Sequence, residues 1–147
     1  MARTSDEQAR SAERTIVYLA RHGQTALNSS GVLRGLADPP LDETGQEQAR
    51  QLGASLGSRN LSLVAASPLR RRWRPRDRSR CGGRAVVAVS HDAVNRQVLA
   101  ALDPGLGDPD AIAQDNGCFN TLELRDGTWS VLAVNQVPPD LPHLPPG

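Results

Sequence analysis

Residues 15–28 read TIVYLARHGQTALN. The first six, Thr15–Ala20, are a short apolar run rich in strand-forming residues, and it stops at Arg21-His22-Gly23 as a buried strand ending at a loop does. Two later stretches repeat the pattern. Leu61–Ala66 (LSLVAA) ends at Ser67-Pro68, and Ala85–Val89 (AVVAV) ends at Ser90-His91-Asp92. Between the first two runs, Thr44 followed by Glu47 has the capping-box spacing, and Ala49, Leu52 and Leu56 recur on one helical face to about Arg59. After the third run, Asp92 stands where it can cap a helix whose Val94, Val98, Leu99 and Leu102 line one side up to Pro104. Phe119–Leu124 and Trp129–Val134 flank the turn dipeptide Asp126-Gly127, which predicts a hairpin. Strands alternating with helices predict an α/β layer fold with the hairpin at one side of the sheet.

The chain of 147 residues has the length of one domain, at roughly 100–200 residues each. A polar leader (1–14), a domain (15–135) and a Pro-rich tail (136–147) are expected. Only 38% of residues are apolar and 3% aromatic, so the core must rest on Leu, Val and Ala and the fold should be marginal. All 17 basic residues are arginine. Without lysine there is no Schiff-base chemistry and no lysine-bearing phosphate loop. The charge is unevenly spread: residues 70–84 hold eight Arg against Asp77, a local +7, which leaves −6 for the rest of a chain of net charge +1. Cys81 and Cys118 make neither a CxxC pair nor a disulfide framework. No span of roughly 18 apolar residues and no signal-peptide core is present, so a soluble, cytoplasmic protein without membrane contact is expected.

Two of the three histidines, His22 and His91, directly follow predicted strands or lie one residue beyond them. In open α/β sheets ligands bind beyond the carboxyl ends of strands. A lone histidine there more often just satisfies backbone groups. Two of them, each beside anion-competent groups, point elsewhere. Gly23 lets backbone approach a ligand, Thr25 and Asn28 offer hydrogen bonds, and Arg70 and Arg71 follow the second strand. Arginine forks match phosphate oxygens and a neutral imidazole is a nucleophile, so the constellation describes a phosphoryl site. Nearby arginines should favour that neutral form of His22.

The RHGxTxxN run at 21–28, the SPLxR run at 67–71 and the VSHDAVNR run at 89–96 together resemble the histidine phosphatase superfamily, also called phosphoglycerate mutase-like. GVLRGLADPPLDETGQEQA (31–49) and NGCFNTLEL with its DGTW hairpin extend the likeness over 15–71 and 85–135. The resemblance implies a three-layer phosphoglycerate mutase-like fold with a mostly parallel sheet. It also implies that His22 attacks phosphorus and becomes phosphohistidine while Arg21, Arg71 and His91 hold the equatorial oxygens. Thr25, Asn28 and Gly23 would orient the phosphoryl group, with Gly35 in the substrate loop. Water then completes a phosphomonoester hydrolysis on a small-molecule substrate, with no metal or other cofactor; a mutase would return the group to another hydroxyl, the less expected outcome.

One departure from the family pattern is large. Only residues 72–90 separate Arg71 from His91, and no Glu occurs between 48 and 122, so the acid that protonates the leaving group is missing from its usual place. General acid help is worth roughly 10²–10⁴-fold. Reduced activity is expected, with Asp92, Asp77 or water as substitutes. The shortening, between the second and third predicted strands, should remove a covering helix and a strand, with exposed apolar surface or oligomerisation as the result. The Arg-rich 72–84 segment reads as a solvated replacement linker ahead of a nucleic-acid arm. Two other functions stand beside hydrolysis: a degenerate phospho-ligand-binding domain and, behind it, a nucleic-acid-associated protein.

Overall fold

The computed structural model describes residues 14–26, 39–57, 59, 61–66 and 85–138. Residues 1–13 of the predicted leader, the Arg-rich linker and most of the Pro-rich tail lie outside the described residues, while Arg14, the last residue assigned to the leader, already belongs to the first strand. Five strands and two α-helices are present among those described: β1 (Arg14–Arg21), α1 (Glu43–Gly57), β2 (Leu61–Ala66), β3 (Ala85–Ser90), α2 (Asp92–Leu102), β4 (Phe119–Arg125) and β5 (Thr128–Gln136). Two 3₁₀ turns, Pro104–Leu106 and Pro109–Ala111, follow α2.

The strands form one sheet in the order β2-β3-β1-β4-β5. β1 and β2 each run parallel to β3, while β4 is antiparallel to both β1 and β5. Four strands therefore share one direction, and the predicted hairpin forms one side of the sheet. β1 lies inside the sheet with a neighbour on each edge, which explains why its sequence is a nearly continuous apolar run. Its side chains alternate between two cores. Tyr18 and Ala20 face Leu52 and Leu56 of α1, together with Val87 and Phe119. Leu19 faces Leu99 of α2 on the other side, with Ile112 and Leu122. Helix, sheet and helix make the three layers that the resemblance implies. The shortening expected between β2 and β3 concerns residues 67–84, outside the described residues.

Several local expectations are corrected. Helix α1 starts at Glu43, so its cap is Asp42: Oδ1 accepts from the Gly45 N–H at 2.8 Å, and Thr44 lies within the first turn. Its buried face runs through Gly45, Leu52 and Leu56, while Ala49 is exposed. Helix α2 likewise presents Asn95 and Leu99 to the interior and leaves Val94 half exposed. The apolar pattern misled here because the inward position one turn into α2 is polar.

Candidate active site

The parallel pairing of β1 with β3 builds the site. Each β1 residue faces the residue 69 positions later, from Ile16↔Ala85 to Arg21↔Ser90. The same spacing separates His22 from His91, so both histidines leave the sheet side by side. The His22 N–H continues the ladder to the Ser90 carbonyl at 3.2 Å. Their rings stand 5.1 Å apart at 69°, edge to face. His22 is buried and His91 half-buried.

His22 is oriented by its own loop. Its Nδ1 lies 2.6 Å from the Gly23 carbonyl oxygen. A carbonyl can only accept, so Nδ1 carries a proton; in the neutral ring that puts the lone pair on Nε2, the tautomer a nucleophilic imidazole needs. The His22 carbonyl accepts from the Gly117 N–H at 3.1 Å, which pins the backbone from the β4 side.

Arg21 points off the end of β1 with its side chain nearly buried. Nη1 donates to the Gln114 main-chain oxygen, and Nη2 lies 3.4 Å from Asp92 Oδ2. Asp92 is the first residue of α2, with His91 in the cap position, so the carboxylate joins Arg21 instead of capping the helix. Its other oxygen accepts from the Ala93 N–H at 2.9 Å.

Gly23 and Thr25 occupy the loop between β1 and α1. A Cβ at Gly23 would lie 2.3 Å from the Gly45 oxygen, and one at Gly45 would lie 1.9 Å from the Gln24 oxygen. The two glycines let the first turn of α1 press against the loop that carries His22. Gln24 reinforces the contact: Nε2 donates to Asp42 Oδ2 at 3.0 Å, and its N–H donates to Gln48 Oε1 at 2.8 Å. Thr25 is buried and forms an isolated bridge with Leu41.

The structure thus brings together Arg21, His22, His91 and Asp92, with Gly23 and Thr25 on the adjoining loop. Asn28, Gly35 and Arg71 lie outside the described residues. Sequence reasoning passed over three buried amides behind Arg21: Gln114, Asn120 and Asn95. Asn95 did carry a signal, because it stands one helical turn after His91 in the quoted VSHDAVNR run. No group of three or more metal-ligating side chains occurs among the described residues. No described helix is long and apolar enough to cross a membrane.

Among solved structures, the fold is similar to phosphoglycerate mutase from Bacillus anthracis, with a TM-score of 0.72 at 16% identity, covering 88% of this chain and 96% of that one. It is also similar to a phosphoserine phosphatase mutant from Entamoeba histolytica, with a TM-score of 0.67 at 17% identity, covering 84% and 98%. At such identities the likeness establishes the fold alone. A probable phosphoglycerate mutase of Erwinia tasmaniensis is 34% identical over 119 residues, 81% of this chain and 49% of that protein. Phosphoserine phosphatase 1 of Hydrogenobacter thermophilus is 38% identical over 57 residues, 39% of this chain and 27% of that protein. The chain therefore spans half or less of these curated relatives. The family model of the histidine phosphatase superfamily (branch 1) matches residues 17–75 and again 72–137, two segments that meet inside the Arg-rich stretch. With most of its length accounted for in this way, the chain belongs to the histidine phosphatase superfamily.

Proposed function

We propose that the chain hydrolyses small phosphomonoesters through a phosphohistidine on His22, at a reduced rate. The observation that carries the reading is the pairing of His22 and His91 at 5.1 Å, beyond two parallel strand ends, with Arg21 alongside. In the first step His22 Nε2 attacks phosphorus; the N–P bond forms as the P–O ester bond breaks, and the departing alkoxide takes a proton. In the second, water attacks phosphorus, the N–P bond breaks, and inorganic phosphate leaves as the imidazole is restored. Arg21 supplies positive charge, and Arg21 and His91 supply hydrogen bonds, to oxygens whose charge shifts during transfer. Arg71, Asn28 and Gly35 join the reading through the family pattern.

The reduced rate follows from the proton inventory. No Glu lies between 48 and 122, and Asp92 is engaged with Arg21 at 3.4 Å. A carboxylate held in an ion pair with a guanidinium is an acceptor, not the proton donor that a leaving alkoxide requires. Aryl phosphates, whose leaving groups need little protonation, should therefore turn over faster than alkyl phosphates. Equal and rapid turnover of both would remove the missing-acid explanation. The same ion pair supports a second reading, a phospho-ligand-binding domain with little turnover.

Labelling with a radioactive phosphodonor, stopped with alkaline detergent, separates the two. The hydrolase reading expects acid-labile, base-stable label that disappears in His22→Ala. Phosphate binding with no label on His22 would favour the binding domain.

A further inference from the structure

We infer that Gln114 is a positioning residue for Arg21, acting through its own main-chain carbonyl; the functional meaning of this rests on the phosphatase reading of Arg21. Gln114 lies in the irregular stretch between the second 3₁₀ turn and β4, and it is buried. Its carbonyl accepts from Arg21 Nη1. With Asp92 on Nη2, that contact fixes two points of the planar guanidinium and hence the direction of its fork.

A carbonyl on irregular backbone has no ladder to hold it. Here the side chain of the same residue does so. Gln114 Nε2 donates to Asn120 Oδ1 at 2.7 Å and to the Ala113 oxygen at 2.7 Å. Gln114 Oε1 accepts from Asn120 Nδ2 at 2.9 Å, from Asn95 Nδ2 at 3.3 Å and from the Cys118 thiol at 3.7 Å. Both donors and both lone pairs are thus in use.

The two amide partners are anchored to the elements that carry the site. Asn120 belongs to β4 and donates to the Leu19 oxygen at 2.9 Å, two residues before Arg21. Asn95 belongs to α2, one turn after His91. The buried amides therefore connect the carbonyl under Arg21 to the strand bearing Arg21 and to the helix starting at Asp92.

Packing alone does not call for this arrangement. Asn95 and Asn120 are fully buried and Gln114 is 3% exposed. Apolar side chains of matching shape would hold this core as well, and would not bury the partnerless Asn95 Oδ1. What apolar side chains cannot do is fix the direction of a carbonyl.

The test is a double-mutant cycle read by inorganic phosphate affinity. Gln114→Met keeps the apolar bulk and deletes the amide; Asn95→Ala, which loses only the 3.3 Å bond, serves as the second variant if Gln114→Met does not unfold cooperatively. With Arg21 present, Gln114→Met should weaken phosphate binding roughly tenfold, on the scale of one hydrogen bond to a charged group. In the Arg21→Ala background the same change should have no further effect. An equal loss in both backgrounds, or no loss in either, overturns the inference. Failure of the phosphatase reading looks different. If the wild-type protein binds phosphate without turnover, catalysis fails and the positioning role stands or falls on the cycle. If it binds none, the Arg21 guanidinium N–H resonances decide: slow exchange lost in Gln114→Met supports the tether, and unchanged exchange overturns it.

Discussion

Gly23 and Gly45 meet where α1 crosses the histidine loop, and neither position has room for a methyl group. Gly23→Ala should cost about 2–4 kcal/mol by forcing backbone apart, in the range of severe overpacking, and should displace His22 as well. Chemical denaturation measures the first effect; loss of His22 labelling in protein that remains folded measures the second. Cys118 makes a different prediction. It is fully buried, and burial pushes its thiol up to about 11, with Arg21 opposing and Asp115 adding to the rise. The folded chain therefore keeps its proton after the unfolded chain has lost it, and stability should fall as pH rises from about 9 through about 11. Cys118→Ala should flatten that part of the profile. Alkylating reagents should leave Cys118 untouched until the protein unfolds.

Among the elements, α1 shows how one residue serves both fold and site. Asp42 caps the helix with one oxygen and holds Gln24 with the other. Asp42→Ala should lose about 1–2 kcal/mol from the cap alone. Asp42→Asn, which retains an acceptor for the Gly45 N–H, should recover most of it in the same unfolding experiment. The sequence showed that a helix begins near residue 43 but assigned the cap to Thr44. Several short polar residues occupy one turn, and only the approach of Gln24 selects Asp42. The strands were more legible. β2 spans the run read from the sequence, and β1 and β3 differ from it only at their ends. Apolar β-branched runs bounded by polar loops have few alternatives. For the site, Arg21, His22 and His91 were visible as residues that follow strands. The Gln114–Asn120–Asn95 cluster was not, because three amides spread over 26 positions have no periodicity. Their meeting depends on tertiary packing.

At the scale of the whole molecule, the scarcity of aromatic residues concentrates risk. The single Phe and the single Tyr meet in the core: Phe119 and Tyr18 lie edge to face at 6.1 Å, and Arg59 sits over the Tyr ring while donating to its hydroxyl at 2.9 Å. Phe119→Ala should cost about 3–5 kcal/mol. That is a large share of the total of about 5–15 kcal/mol available to a domain, so the variant should melt well below the wild-type protein when followed by circular dichroism. Among the described residues, the two-sided core is otherwise built from aliphatic side chains and has no second cluster of rings to fall back on.

The ladder between β1 and β3 has one more consequence. Because hydrogen bonds set the distance between His22 and His91, the number of residues joining them along the chain is irrelevant to it. Material can be added to or removed from the stretch between Arg71 and Ala85 without moving either imidazole, provided the two strands still pair. For evolution, that makes the stretch a place where chain length can change while the paired histidines stay in register. For a protein engineer, it is a graft point.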